Sequence, residues 1–194
     1  NCASLYSINA LTNHLKSLGH KVPKASVSDY LAWFEDAYFL FSVRLYDASI
    51  SRSNANPKKI YCIDHAMVTS IASGILVNSG HLLENLIFVT LRRRFTNIFY
   101  YKTSAGLEVD FIVKERNRPT LLIQVCETMS NPAIAARELK ALQQAMLEQP
   151  DAQSFIITRQ ETAKIPAELT IPDTVELMPA WKFLVLMDDE NSSG

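Results

Sequence analysis

Four residues on three neighbouring stretches carry the chemistry open to this sequence: Glu84, Asp110, Gln124 and Cys126. Glu84 stands in HLLENLIFVTLRRR (81–94), where Phe88 and Leu91 follow at i+4 and i+7. A carboxylate therefore lies on or beside the apolar stripe of a helix, where charged groups are rarely found. In LEVDFIV, Leu107, Val109, Phe111 and Val113 alternate with Glu108, Asp110 and Ile112. In TLLIQVCE, Leu121, Ile123 and Val125 alternate with Thr120, Leu122, Gln124 and Cys126. If these two strands pair through the turn ERNRP, Asp110, Gln124 and Cys126 share one face. Carboxylate and amide oxygens are the donors that hard divalent cations take, whereas a thiol is soft.

The elements that must hold these residues form the second of two modules. After the helix 81–94 come a strand NIFYYKT (97–103), the turn SAG, the strand 107–114, the turn 115–119 and the strand 120–127. Residues 131–148 are a helix, with Asn131 as its cap and Pro132 at the first helical position. SFIITR (154–159) is a short apolar strand of the kind buried on both faces. VELMP then leads into a final helix from Pro179, and residues 188–194 are a frayed tail. This order predicts an α/β domain over 80–187 with a central mixed sheet flanked by helices.

The first module, residues 1–75, reads as a winged helix-turn-helix. Leu5, Ile8, Leu11, Leu15 and Leu18 mark a helix over 4–18 that stops at Gly19. Ser26 is the expected cap of a second helix over 27–38, with Val27, Tyr30, Leu31, Phe34, Ala37 and Tyr38 inward and the aromatics in the core. FLFSVRLYD (39–47) is a strand, SISRSNANPKK a polar hairpin tip containing Asn56-Pro57, and KIYCID the returning strand. Residues 65–80 are a helix and linker, and the module boundary falls near Ser79-Gly80.

A helix carrying a Glu at its buried edge, a strand with an Asp, a turn, and a strand ending in (D/E)-x-K form the core of PD-(D/E)xK nucleases. Glu84, Asp110 and Gln124-Val125-Cys126 resemble that core. The resemblance implies the restriction-endonuclease-like fold, with Glu84, Asp110 and the residue at position 124 as the site. It also implies Mg²⁺ or Mn²⁺ held by Glu84 and Asp110, and a lysine to orient the attacking water. Two departures stand out. Gln124 replaces the second acid and Cys126 replaces the lysine, so the site loses one negative and one positive charge together. Glu108 shares Asp110's face and could stand in for a lost ligand.

YLAWFEDAYFLFSV, NPKKIYCID, LLENLIFVTLRRR, YYKTSAGLEVDFIV and LLIQVC extend the likeness over most of residues 5–186. As a set they resemble the C-terminal region of prokaryotic AAA+-type P-loop ATPases. In that family an ATPase domain comes first, then a winged helix, then a nuclease-like domain of unknown function. The resemblance implies that ATP belongs to a missing N-terminal domain. The chain itself contains neither G-x-x-x-x-G-K nor G-x-G-x-x-G. It begins at Asn1 without Met, as a fragment of a longer protein would.

The candidates for nucleic-acid contact are Arg52, Lys58 and Lys59 at the hairpin tip, Arg92 and Arg93 at the end of the helix 81–94, and Lys102 before Asp110. Against them, the outward positions of the second helix (Ser28, Asp29, Ala32, Glu35, Asp36) include no Arg or Lys to read bases. Arg92 to Arg94 are also sufficiently explained by the helix dipole.

Residues 1–130 carry 14 Lys and Arg against 10 Asp and Glu, so any polyanion should meet this part; residues 131–194 carry 5 against 10. The total charge of −1 gives no global attraction to nucleic acid or membrane, and 48% hydrophobic content excludes a disordered chain. Cys2, Cys62 and Cys126 are far apart and His14, His20, His65 and His81 lack metal-ligand spacing. This argues against disulfides or zinc and for a reducing, cytoplasmic setting. No apolar run reaches the ~18 residues a membrane span requires.

These features predict a non-catalytic regulatory or targeting region of a AAA+-type ATPase. Its partners would be its own ATPase domain, another copy of itself, or DNA bound without sequence preference. The alternatives are a Mg²⁺- or Mn²⁺-dependent DNA nuclease with a degenerate site and a winged-helix DNA-binding regulator.

Overall fold

The structure, a computed structural model, describes residues 3–64, 66, 79–159 and 165–189. Among these residues the protein is a mixed α/β assembly of two sheets and six helices. The first part contains β1 (Leu5–Tyr6), α1 (Ile8–Ser17), α2 (Lys24–Asp36), β2 (Leu40–Val43), α3 (Ile50–Ala55) and β3 (Lys58–Cys62). The second contains α4 (Ser79–Arg92), β4 (Ile98–Lys102), β5 (Glu108–Val113) and β6 (Leu121–Cys126), followed by α5 (Pro132–Glu148), β7 (Gln153–Thr158), β8 (Val175–Pro179) and α6 (Ala180–Asp189). None of these helices is long and apolar enough to cross a membrane.

The small sheet is antiparallel, in the order β1-β3-β2. The expected helix over 4–18 is shorter than its apolar stripe. Leu5 and Tyr6 pair with Lys59 and Lys58, and Ser7 caps α1 by accepting a hydrogen bond from Ala10 N. Long-range strand pairing thus takes residues that the helical spacing had claimed. The second helix starts at Lys24 after Pro23, so Ser26 lies inside it and not at its cap. The expected polar tip is α3, closed by Ser49 as its N-cap. The expected strand 39–47 leaves the small sheet after Val43. Its continuation bonds to the outer edge of β4, with Tyr46 N donating to Tyr100 O at 2.8 Å and Tyr100 N to Arg44 O at 3.0 Å.

The placement of the aromatics on α2 is a clear correction. Tyr30, Phe34 and Tyr38, expected in the core, are 50%, 45% and 67% exposed, and Ala37 is exposed as well. The helix is anchored instead on a narrow stripe of Val27, Leu31 and Glu35, four residues apart. Glu35 Oε1 accepts a hydrogen bond from Ser42 N of β2 at 2.9 Å. α2 ends with Tyr38 at φ 56°, a conformation that normally selects glycine.

The large sheet has the order β4-β5-β6-β7-β8. Its first two pairings are antiparallel and its last two parallel. As predicted, α5 begins at Pro132, and the side chain of Asn131 accepts from Ala133 N and Ile134 N. One apolar cluster joins α5 to one sheet face through Leu122, Leu142 and Ile156. A second cluster joins α4 and α6 to the other face and continues into the small sheet through Val43 and Tyr61. Tyr61 of β3 stacks on Phe88 of α4 at 4.3 Å and lies 5.5 Å from Phe111 of β5. The small sheet and the large one therefore share one core. The expected helix at 65–80 falls mainly on residues outside those described, as does the tail beyond Asp189. Asp188 and Asp189 continue α6.

Candidate functional site: a buried lysine among carboxylates

Strand alternation creates the site. In β3, Lys59 and Tyr61 are buried while Lys58, Ile60 and Cys62 are half-buried, so Lys59 points inward beside a core tyrosine. Two hydrogen bonds clamp β3 to α4: Cys62 N donates to Asn85 Oδ1 at 2.8 Å, and Asn85 Nδ2 donates to Cys62 O at 3.0 Å. At the other end of β3, Tyr100 Oη donates to Pro57 O at 2.6 Å.

Held in this way, Lys59 Nζ lies 3.0 Å from each of three carboxylates: Glu84 Oε1, Glu108 Oε1 and Asp110 Oδ1. Tyr61 Oη donates to the same Glu84 oxygen at 2.7 Å. Asp110 Oδ2 accepts from Val125 N at 3.0 Å. The registered pairing of β5 and β6 runs only from Phe111–Ile123 to Val113–Leu121, so Asp110 bridges the two strands beyond it with its side chain. Lys102 lies 4.0 Å from Glu108 Oε2, at the outer side of the cluster.

The electrostatics follow from burial and crowding. Burial drives Lys59 toward the neutral amine, but Asp110, Glu84 and Glu108 outweigh it and hold the ammonium above its ordinary range. Burial, reinforced by the Asp110 charge, raises Glu84 to about 8, although Lys59 and Tyr61 pull it down. Burial, together with the charges of Glu138, Asp110 and Glu127, pushes the Cys126 thiol up to about 12, so it is neither a nucleophile nor a thiolate ligand. His81 is lowered by burial and by Lys59.

Glu84, Asp110, Gln124 and Cys126 all line one cleft of about 600 Å³, as the sequence predicted. Within it they divide into two groups. Glu84 and Asp110 meet Lys59, whereas Gln124 Nε2 donates to Glu138 Oε2 of α5 at 2.5 Å. Glu138 is paired in turn with Arg137, and Gln124 Oε1 is buried without a hydrogen-bond partner. Sequence reading missed Glu138 and placed Lys59 in the wrong role. The alternation of KKIYC carried the signal for Lys59, because it sets that residue on the face of Tyr61.

The six basic residues proposed for nucleic acid do not form one surface. Lys59 is a correction: it is 3% exposed and spent on carboxylates, so it cannot grip phosphate from a hairpin tip. Arg52 is bound to Asp47 at 2.8 Å, and Lys58 is half-buried. Arg92 lies over the Phe41 ring in a separate groove, with Arg93 exposed beside it and Lys102 at Glu108. The cleft itself is acidic, with Glu84, Glu108, Asp110, Glu127 and Glu138 against Arg137.

The side chains as they stand do not fit Mg²⁺ or Mn²⁺. Hard cations sit about 2.0–2.6 Å from their oxygen ligands. Here the point on which the carboxylates converge holds a protonated amine. Among the described residues, no group of three or more His, Cys, Asp or Glu could hold a metal ion.

Residues 79–182 match the family model described as a domain of unknown function, DUF4143. The chain belongs to the DUF4143 family. The matched segment carries Glu84, Glu108, Asp110 and Gln124, whereas Lys59 comes from outside it. Over 190 residues the chain is 32% identical to an uncharacterized protein, MJ1544, of Methanocaldococcus jannaschii, which covers 93% of this chain and 41% of that protein. The DUF4143 chain thus spans about two fifths of that relative's length. Among solved structures it has a likeness to a half-complex of Thermococcus gammatolerans McrB AAA+ hexamers with bound McrC. The identity is 12% and the TM-score 0.36, covering 59% of this chain and 33% of the other, which is too remote to carry an argument.

Proposed function

We propose that this DUF4143 chain is a non-catalytic accessory region of a AAA+-type ATPase that works through protein contacts. The observation that carries the reading is the Lys59 ammonium, 3.0 Å from each of Glu84, Glu108 and Asp110. The carboxylates that hydrolysis would need for a metal are engaged with an internal cation. Lys59 reaches them from the core and is not among the residues lining the cleft, so it does not face a substrate.

The sequence resemblance to AAA+ C-terminal regions supports the ATPase setting. Residues 1–75 are then a winged-helix derivative and residues 80–187 a restriction-endonuclease-like scaffold. The three-stranded antiparallel sheet with its helices and the five-stranded mixed sheet support that division. Protein contact is supported by α2, which exposes Tyr30, Trp33 and Phe34 and carries no outward Arg or Lys beyond Lys24. Cys126, a buried free thiol, agrees with a cytoplasmic setting.

Incubating the chain with supercoiled plasmid and Mn²⁺ tests the reading. No nicking above buffer is expected. A second reading, a metal-dependent nuclease, is favoured by the convergence of Glu84, Asp110 and Gln124 on one cleft. Nicking that Asp110→Ala abolishes would establish that reading and overturn the first. A third reading, a DNA-binding regulator, requires a salt-sensitive duplex shift that weakens in Arg52→Ala/Lys58→Ala. No shift is expected even at low salt.

A further inference from the structure

We propose that Lys59 is a tethered substitute for a divalent cation, and that removing its ammonium turns the carboxylate cluster into a hard-cation site. Four observations meet here. One atom, Lys59 Nζ, touches oxygens of Glu84, Glu108 and Asp110, each at 3.0 Å, so all three already point at a common cation. Two of the three carboxyl groups are oriented from outside the cluster, Glu84 by Tyr61 Oη on Oε1 and Asp110 by Val125 N on Oδ2. Gln124 Oε1, in a residue 4% exposed on the same cleft, is a buried acceptor without a donor. The cation itself belongs to β3, outside the segment that carries the carboxylates.

The physical reason is charge balance. Three carboxylates in a buried pocket require a positive partner. Lys59 supplies a single charge, donating hydrogen bonds to Glu84 and Asp110 and pairing with Glu108, and its ammonium occupies the point on which the three converge. A methionine in its place has a similar length, no charge and no donors. It leaves an oxygen-lined pocket of the composition that Mg²⁺ and Mn²⁺ select. Strand β3 thus excludes metal from a cleft it does not line. This inference goes beyond the proposed function: a chain that binds metal can still cleave nothing.

Mn²⁺ is the probe, read by electron paramagnetic resonance on wild type, Lys59→Met and Lys59→Met/Asp110→Asn. Lys59→Met is expected to bind Mn²⁺ at least ~10-fold more tightly than wild type, because ligand charge sets affinity at such sites. The double variant is expected to lose that gain. Equal binding by wild type and Lys59→Met, or no gain in a folded Lys59→Met, would overturn the proposal. If Lys59→Met does not fold, wild type decides: Mn²⁺ must leave the nuclear resonances of Glu84, Asp110 and Lys59 unbroadened, and selective broadening there overturns it. Metal bound by wild type without plasmid nicking would overturn metal exclusion and leave the non-catalytic reading intact.

Discussion

The ammonium of Lys59 and the carboxylate of Glu84 meet at 3.0 Å across 25 residues of sequence, one on strand β3 and the other on helix α4. Their side chains are 4% and 10% exposed, so the pair lies inside the core that joins the two sheets. Tyr61, two residues beyond Lys59, donates to the same Glu84 oxygen and stacks on Phe88 one turn further along α4. Polar and apolar contacts therefore fix the same register between strand and helix.

Removing one partner of a buried pair leaves the other charge without compensation. Lys59→Met should destabilise the fold by about 3–5 kcal/mol at neutral pH. Urea denaturation would measure this.

The pH dependence has a definite sign. Glu84 titrates at about 8 in the folded chain against an ordinary value of 4.5, so between these limits the folded state holds a proton that the unfolded state has released. Stability therefore falls as pH rises from about 5 to about 8. Lys59, raised above its ordinary 10.5, contributes stability that is lost only at more alkaline pH. Glu84→Gln should flatten the decline between pH 5 and pH 8 in urea melts. An unchanged slope would show that Glu84 does not cause it.

Much of this arrangement is legible in the sequence, and what is missing has physical causes. Period-two alternation and the i, i+4, i+7 spacing put Asp110, Gln124, Cys126 and Glu84 toward one cleft, because each signal is local. Asn131 and Pro132 marked the start of α5 for the same reason. Lys59 was misread because Asn56-Pro57 signals a turn. The turn is there, but α3 occupies the expected tip and β3 has already begun at Lys58. Whether a strand lysine faces water or carboxylates depends on which helix packs over it, and that is a long-range fact. The aromatics of α2 show the converse. Tyr30, Phe34 and Tyr38 have helical spacing, yet the neighbouring elements cover only the stripe of Val27, Leu31 and Glu35.

An acid at position 124, which the nuclease resemblance would call for, should not create a site. Gln124 donates to Glu138, so Gln124→Glu would set two carboxylates against each other. A loss of about 1–3 kcal/mol is expected at pH 8, with a smaller one at pH 5. Paired urea melts at the two pH values would measure the difference.

Tyr38 closes α2 in the left-handed region, where Phe39 N donates to Phe34 O at 2.9 Å. An L-residue pays about 1–2 kcal/mol for that conformation. Tyr38→Gly should stabilise the chain by about 0.5–1 kcal/mol after the greater chain entropy of glycine offsets part of the gain. A lower urea midpoint in Tyr38→Gly would contradict this.

The most direct test of the Lys59 cluster is nitrogen-15 resonance of the lysine side chains in the full chain near pH 7. Exposed ammonium protons exchange with water too quickly to be seen, whereas those of Lys59, bound to three carboxylates, should give a slowly exchanging ammonium signal that disappears in Lys59→Met. If no lysine signal is protected, or if the protected one survives that substitution, the carboxylates are not held by Lys59 and the account fails.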